Sequence, residues 1–439
     1  MGNLGEAGAS GERGAAGPGR FGARRARERL RVVLEGVGYL GECVGRVEGL
    51  VVFAAYGLPG EEVVVEVDER KSRYVRGRVV EVLQPSARRQ AAPCPLFGAC
   101  GGCAWQHVDY ADELAYKQAV VAEQLQRIGS FAEPPIRDIV GAASPWRYRN
   151  QGRFSLAYGG RLGLTRRHSR SVLPVEDCLL MQEPIVATLR RLQGRVSRLH
   201  QVVVRCGART GTLLVAPRLD GVADVETGQS AYEEDLLGRR YRVSDYSFFQ
   251  ANTRPELRPG PECLWGPPAR PLPADGLSQA DVLALIVLDR LALGGAETVL
   301  DAYCGVGTFA LLAADRAKRV VGIEESRSAI ADAVHNRAGV GDVVFHAGKV
   351  EEVLPELGER FDAAILDPSR VGCAPDALAA LLAVRPPRIV YVSCDPATLA
   401  RDLKVLCESA YDLVDVQPID MFPRTHHVEV VATLVRIEG

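Results

Sequence analysis

From Ser278 onward the chain alternates short apolar runs with helix-forming stretches, and no other feature limits its fold so tightly. Residues 298–301, 319–324, 361–367 and 388–392 read as strands, and residues 280–293 (amphipathic), 309–317 and 327–337 as helices. The alternation predicts βαβ units and a mainly parallel sheet. The strand at 388–392 runs into Ser393-Cys394-Asp395-Pro396. Pro396 cannot donate to a sheet ladder, so the strand stops there and helix-forming residues 398–406 follow. A cysteine at the carboxyl end of a parallel strand, beside a helix start, stands where α/β enzymes do chemistry. A helix N-terminus there is expected to favour the nucleophilic thiolate. A buried, inert thiol is the commoner outcome of such a signal alone, so the rest of the chain decides.

At 439 residues the chain should hold two or three domains, each with its own core. Hydrophobic content of 47% and charged content of 25% are ordinary for a soluble globular protein. The net charge of -2 predicts no strong global attraction to nucleic acid and leaves room for a local basic face. No apolar stretch is long enough to span a bilayer, and the N-terminus lacks a signal-peptide core, so a cytoplasmic protein without membrane contact is expected. In that reducing compartment, 11 cysteines point to metal binding or catalysis rather than disulfides.

The expected organisation has four parts. Residues 1–28 are Gly- and Ala-rich with clustered Arg, a disordered basic tail. Residues 29–86 carry short strand-like runs between Gly turns, the pattern of a small five-stranded, OB-like barrel. Within it Lys71, Arg73, Arg76 and Arg78 surround Tyr74, charge plus a stacking ring suited to single-stranded nucleic acid; a solvated hairpin is the plainer reading. Residues 87–247 form a central α+β region with cysteines at its start, and residues 248–439 the α/β domain. Residues 254–276 are too rich in Pro to be an element and read as a surface insertion.

Cys94, Cys100 and Cys103 have the spacing C-x5-C-x2-C, followed by Gln106 and His107. Zinc sites usually use two short Cys pairs, whereas a triplet with a distant fourth ligand is commoner for an iron–sulfur cluster; Cys178 is the evident fourth, and zinc stays open. Asp301-Ala302-Tyr303-Cys304-Gly305-Val306-Gly307-Thr308 follows a strand and opens a helix, and Glu324 ends the next strand, where an acid can hold a ribose diol. The turn formally fits a nicotinamide site, but Asp301 before it and Asp367-Pro368 later look more like an adenosylmethionine pocket. Near the C-terminus Glu429 opens an alternating strand and is a candidate general base, with His427 beside it.

Taken in order, these segments resemble the TRAM-domain, iron–sulfur-containing RNA (uracil-5-)methyltransferases, the bacterial 23S ribosomal RNA type with relatives acting on transfer RNA. The resemblance spans residues 30–439 and rests on linked motifs. They are the cysteine triplet with Gln106-His107, Phe248-Phe249-Gln250-Ala251-Asn252, residues 301–309, Ser393-Cys394-Asp395-Pro396-x-Thr398-Leu399-Ala400-Arg401-Asp402, and Asp420-Met421-Phe422-Pro423-x-Thr425-x-His427-Val428-Glu429. It implies a Rossmann-like class I methyltransferase domain, an N-terminal TRAM barrel and a central iron–sulfur domain. It also implies S-adenosyl-L-methionine and a [4Fe-4S] cluster as cofactors and RNA as partner; no obligate protein partner is evident in the sequence. Residue by residue, it gives Cys94, Cys100, Cys103 and Cys178 to the cluster, Cys394 to the nucleophile and Glu429 to the base. Gln250, Tyr303, Thr308, Glu324 and Asp367 fall at donor- and base-site positions. Thr308 stands where Asn is common, Lys349 where Asn or Asp is common, and Asp367-Pro368-Ser369-Arg370 replaces Asp-Pro-Pro-Arg.

The expected reaction is methylation of uridine C5 in RNA, ribosomal first and transfer RNA as the alternative. An iron–sulfur or nicotinamide oxidoreductase and a non-catalytic RNA-binding factor are the competing classes. Dependence on adenosylmethionine and a methylation assay separate them.

Overall fold

The computed structural model describes residues 28–197, 199–256 and 266–438. The expected tail at 1–28 therefore lies almost wholly outside the described residues, as does the middle of the Pro-rich stretch. Strands β1 (Arg29–Val37), β2 (Cys43–Val47), β3 (Leu50–Ala55), β4 (Glu62–Arg70) and β5 (Tyr74–Gln84) close a barrel in the order β1-β2-β3-β5-β4. Val32, Leu34, Val52, Ala54, Val63, Val65 and Val75 fill it, every second residue along each strand, because side chains alternate across a pleat. The expected basic stripe is charge-balanced. The β4–β5 register sets Glu66 opposite Arg78, with which it pairs; Arg76 pairs with Glu42, and Lys71 with Glu69.

Helix α1 (Tyr110–Arg127) follows. A second sheet has the order β10-β9-β6-β7-β8, from β6 (Gln151–Leu156), β7 (Leu162–Thr165), β8 (Val172–Pro174), β9 (Gln201–Cys206) and β10 (Leu213–Ala216). Helix α2 (Glu183–Leu192) packs on it through Ile185, Val186 and Leu189. A separate hairpin joins β11 (Ala231–Leu236) to β12 (Arg239–Ser244).

The third sheet has seven strands. The elements run α3 (Gln279–Leu291), β13 (Thr298–Asp301), α4 (Thr308–Ala313), β14 (Arg319–Glu324), α5 (Arg327–Asn336), β15 (Val343–Ala347), α6 (Val350–Val353), β16 (Ala363–Leu366), α7 (Pro375–Val384), β17 (Arg388–Ser393), α8 (Pro396–Ser409), β18 (Tyr411–Ile419) and β19 (Glu429–Arg436). The order is β15-β14-β13-β16-β17-β19-β18, parallel except for β19, which runs antiparallel to both its neighbours. The chain reverses direction across the sheet between β13 and β16, the switch point where open α/β sheets bind ligands.

Helix α3 departs from the amphipathic expectation: Val282, Leu283, Ala284, Leu285, Ile286 and Val287 are all buried. The reason is the β11–β12 hairpin, whose Tyr232, Leu236, Leu237 and Tyr241 share its core, while Leu237 N donates to Asp281 in the first turn of α3. Helix α1 packs the same sheet from its other side, Val121 and Leu125 joining Leu399, Leu403 and Leu406 of α8. Among the described residues no helix is long and apolar enough to cross a membrane.

Candidate active site and cysteine cavity

The carboxyl ends of β13, β14, β16 and β17 open into a cavity of about 790 Å³, within the range that small-molecule sites occupy. Its donor side is the turn after β13. Gly305 has φ 54° and Gly307 φ 87°, conformations that a side chain disfavours. A Cβ on Gly307 would also sit 3.0 Å from the Phe345 ring, whereas the space over Gly305 is open, so backbone there can approach a ligand. Glu324, ending β14, accepts from Gly305 N at 3.1 Å and from Ser326 N at 2.7 Å. The carboxylate thus pins the turn and still has acceptor capacity for a diol. Tyr303, Thr308 and Lys349 share this wall, and Gln250 enters from the segment after β12. Gln250 is buried with its Oε1 unpartnered among the described residues. An orphan acceptor of that kind costs about 1–3 kcal/mol, which a ligand donor would offset.

The opposite wall is set by one strand register. β17 and β19 pair antiparallel with Ser393 across from Val430. Cys394 directly follows Ser393 and Glu429 directly precedes Val430, so this last pair brings both to the cavity, where the Glu429 charge acts on the thiol. Asp367 follows β16, the neighbour of β17 on its other side. Nucleophile and base candidates, far apart in the chain, therefore share one cavity with Asp367 and Glu324.

Electrostatics in the cavity are dominated by buried carboxyls. Burial raises Glu429 well above the usual range, helped by the charge of Asp367 and opposed by Arg370. Burial and then Glu324 push Asp367 up to about 7, and burial and then Asp367 push Asp301 up to about 8. Burial, then Glu429, push Cys394 up to about 12, with Arg370 opposing. This corrects the expectation of a thiolate favoured by a helix end. Asp395 caps α8, its Oδ1 accepting from Ala397 N at 3.1 Å and Thr398 N at 3.0 Å, so the helix amides serve that carboxylate instead of the thiol. Arg370 is the cation that counters the rise, and it lies 3.3 Å from His427 Nε2. The sequence names Arg370 only as the end of the Asp-Pro-Ser-Arg turn; its role beside the thiol appears once β16 and β17 are neighbours.

Cys94, Cys100, Cys103 and Cys178 line a second cavity, of about 220 Å³. Gly102 N donates to Cys100 Sγ at 3.4 Å and Gln106 Nε2 to Cys103 Sγ at 3.1 Å. Burial, with the other three cysteines adding, pushes Cys103 up to about 12. The expectation of a formed metal site is not met: among the described residues no group of three or more His, Cys, Asp or Glu side chains is arranged to hold a metal ion.

Comparison with known proteins follows the same division. The methyltransferase domain family matches residues 293–412 and the TRAM domain family residues 23–80. An uncharacterized RNA methyltransferase of Gloeobacter violaceus is 34% identical, over 89% of this chain and 92% of its own. One of Halalkalibacterium halodurans is also 34% identical, over 92% and 96%. Among solved structures, the Pyrococcus abyssi tRNA (uracil-54, C5)-methyltransferase in complex with S-adenosyl-L-homocysteine superposes with a TM-score of 0.68 at 25% identity. The match covers 92% of this chain and 100% of that one.

Proposed function

This chain belongs to a family of RNA methyltransferases with a TRAM barrel and a class I methyltransferase fold, and from that premise we propose that it methylates C5 of a uridine in RNA. The observation that carries this is the single cavity joining the Gly305–Glu324 wall, shaped for an adenosyl donor, to Cys394 and Glu429. The neighbour bound to S-adenosyl-L-homocysteine supports S-adenosylmethionine as that donor. Gln250, Tyr303, Thr308 and Glu324 then hold the donor, and Asp367 lies between it and the base.

Uracil C5 is a poor nucleophile, and the site's groups answer that difficulty in order. The Cys394 thiolate, favoured by Arg370, bonds to C6, and the C5–C6 π pair moves into an enolate through C4 and O4. C5 attacks the donor methyl; the sulfur–methyl bond breaks, and neutral S-adenosylhomocysteine leaves. Glu429 takes the C5 proton, the C5–C6 double bond re-forms, and the C6–sulfur bond breaks to return the thiolate. Burial of Glu429 makes it a stronger base for that step than an exposed carboxylate. The target base must leave its stack to reach the cavity, so a loop or unpaired segment is the expected substrate.

The substrate we propose is 23S ribosomal RNA. Transfer RNA is the second reading, favoured by the substrate of the Pyrococcus abyssi neighbour. Mapping 5-methyluridine in both RNA pools of a deletion strain decides: a site lost from 23S RNA supports the first, a lost T-loop site the second, and unchanged 5-methyluridine in both sinks the reading.

We further propose that Cys94, Cys100, Cys103 and Cys178 hold a [4Fe-4S] cluster. Four thiols lining one cavity, with amides donating to two of the sulfurs, suit a multi-iron group. Such a group would supply folding energy there and has no step in methyl transfer. Anaerobically purified protein should be brown with about four irons per chain; a colourless protein with one zinc would refute the assignment.

A further inference from the structure

The turn between β1 and β2 of the barrel, residues 38–42, leaves the barrel and touches both reactive segments. Tyr39 donates its hydroxyl to Asp395 Oδ2, the oxygen left over after Oδ1 has capped α8. Two residues on, Gly41 lies against the segment that leads to Glu429. Its φ is 76°, a Cβ there would fall 2.6 Å from His426 Cβ, and its carbonyl accepts from Trp105 Nε1 at 3.0 Å. Trp105 is itself hooked to this segment, since Ala104 N donates to Arg424 O at 2.9 Å. Glu42 secures the end of the turn: 3% exposed, it accepts from Arg167 at 3.1 Å and pairs with Arg76 at 3.5 Å. One barrel turn therefore sits between the neighbour of the nucleophile and the approach to the base.

We propose that Tyr39 is a positioning residue for methyl transfer, holding Asp395 and, through it, the backbone turn that presents Cys394 to uracil C6. The proposal rests on the uracil-C5 reading and deepens it. Asp395 is bonded directly to Cys394, so a change in its side-chain direction is felt at once by the thiol. The cap alone fixes one carboxylate oxygen; the tyrosine fixes the other, and with it the plane of the group. The consequence is that the barrel and the nucleophile form one mechanical unit. RNA seated on the barrel is then held in register with Cys394.

The test uses the full chain, with single-turnover methyl transfer at saturating RNA, the rate of stable adduct formation with 5-fluorouridine RNA, and separate RNA and S-adenosylmethionine affinities. Tyr39→Phe removes only the hydroxyl. Both rates should fall about tenfold, the scale expected of a slightly misplaced reacting group, while both affinities hold. Asp395→Ser keeps a one-oxygen cap on α8 but offers nothing to Tyr39, so adding Tyr39→Phe to it should cause no further loss. Unchanged rates in Tyr39→Phe would overturn the proposal, as would a loss explained wholly by weaker RNA binding, or a full extra loss in the Asp395→Ser background. A wild-type protein that forms no 5-methyluridine would instead strike the reading beneath it.

Discussion

The two cavities hold their reactive groups by different means. The larger is built on the ends of parallel strands, and the β17–β19 pairing brings Cys394 and Glu429 into one cavity. The smaller is built on loops after the barrel, where Cys94, Cys100 and Cys103 meet Cys178 from a segment beyond β8. In the first, hydrogen-bonded sheet fixes the geometry before any ligand arrives. In the second, the donors sit on loops outside the regular elements, and ligation must finish what folding begins. Substitutions in the first should therefore act on rate, and those in the second on folding and RNA affinity.

Cys394→Ala is the largest expected effect: methyl transfer and the 5-fluorouridine adduct both vanish, while S-adenosylmethionine affinity stays, because the thiol attacks RNA and not the donor. A substantial residual rate would sink the covalent scheme. Next comes Glu429→Gln. Turnover should drop by about 10²–10⁴, the worth of a general base, and a protein–RNA adduct should build up on ordinary uridine RNA. Full turnover with no adduct would assign the proton to another base.

The pH profile sharpens the electrostatic side of the comparison. Cys394 and Glu429 both act deprotonated, and both are raised, so activity should climb from neutral into alkaline pH. Arg370 lowers both, so Arg370→Met should move that climb to higher pH. A shift of about one unit means about tenfold less activity at a fixed pH on the limb. A profile that stays in place would show that Arg370 does not reach the thiol. The smallest effect on the chemical step belongs to Cys100→Ser. Soluble yield and RNA affinity should fall, with donor affinity and the rate per bound RNA nearly unchanged. A selective loss of rate would join the two cavities functionally and break the contrast drawn between them.

Much of the large cavity was legible in the chain. Strands at 298–301, 319–324 and 388–392 are apolar on both faces because the sheet buries both, and such runs are hard to mistake. Residues 343–347 and 411–419 were not singled out. In β18 the polar residues Asp415 and Gln417 interrupt the pattern, and both are buried; Arg290 donates to the first, and the second donates to Asp138 O at 2.7 Å. Partners drawn from distant segments leave no local signal. The same holds for α3, whose outward face is covered by a hairpin some forty residues earlier.

What the sequence determined by itself is what depends on neighbours in the chain: the alternation of elements, the glycine turn after residues 298–301, the cysteine spacing, and the strand end that bears Cys394. What only the tertiary structure decided is what depends on contacts between distant segments. It set Cys394 against Glu429, placed Arg370 beside the thiol, gave the α8 amides to Asp395, and brought Tyr39 from the barrel to that carboxylate. The physical reason is that burial and register are properties of packed surfaces. A thiol's proton affinity follows from the charges and the water around it, and those are chosen by the fold, not by the residues on either side.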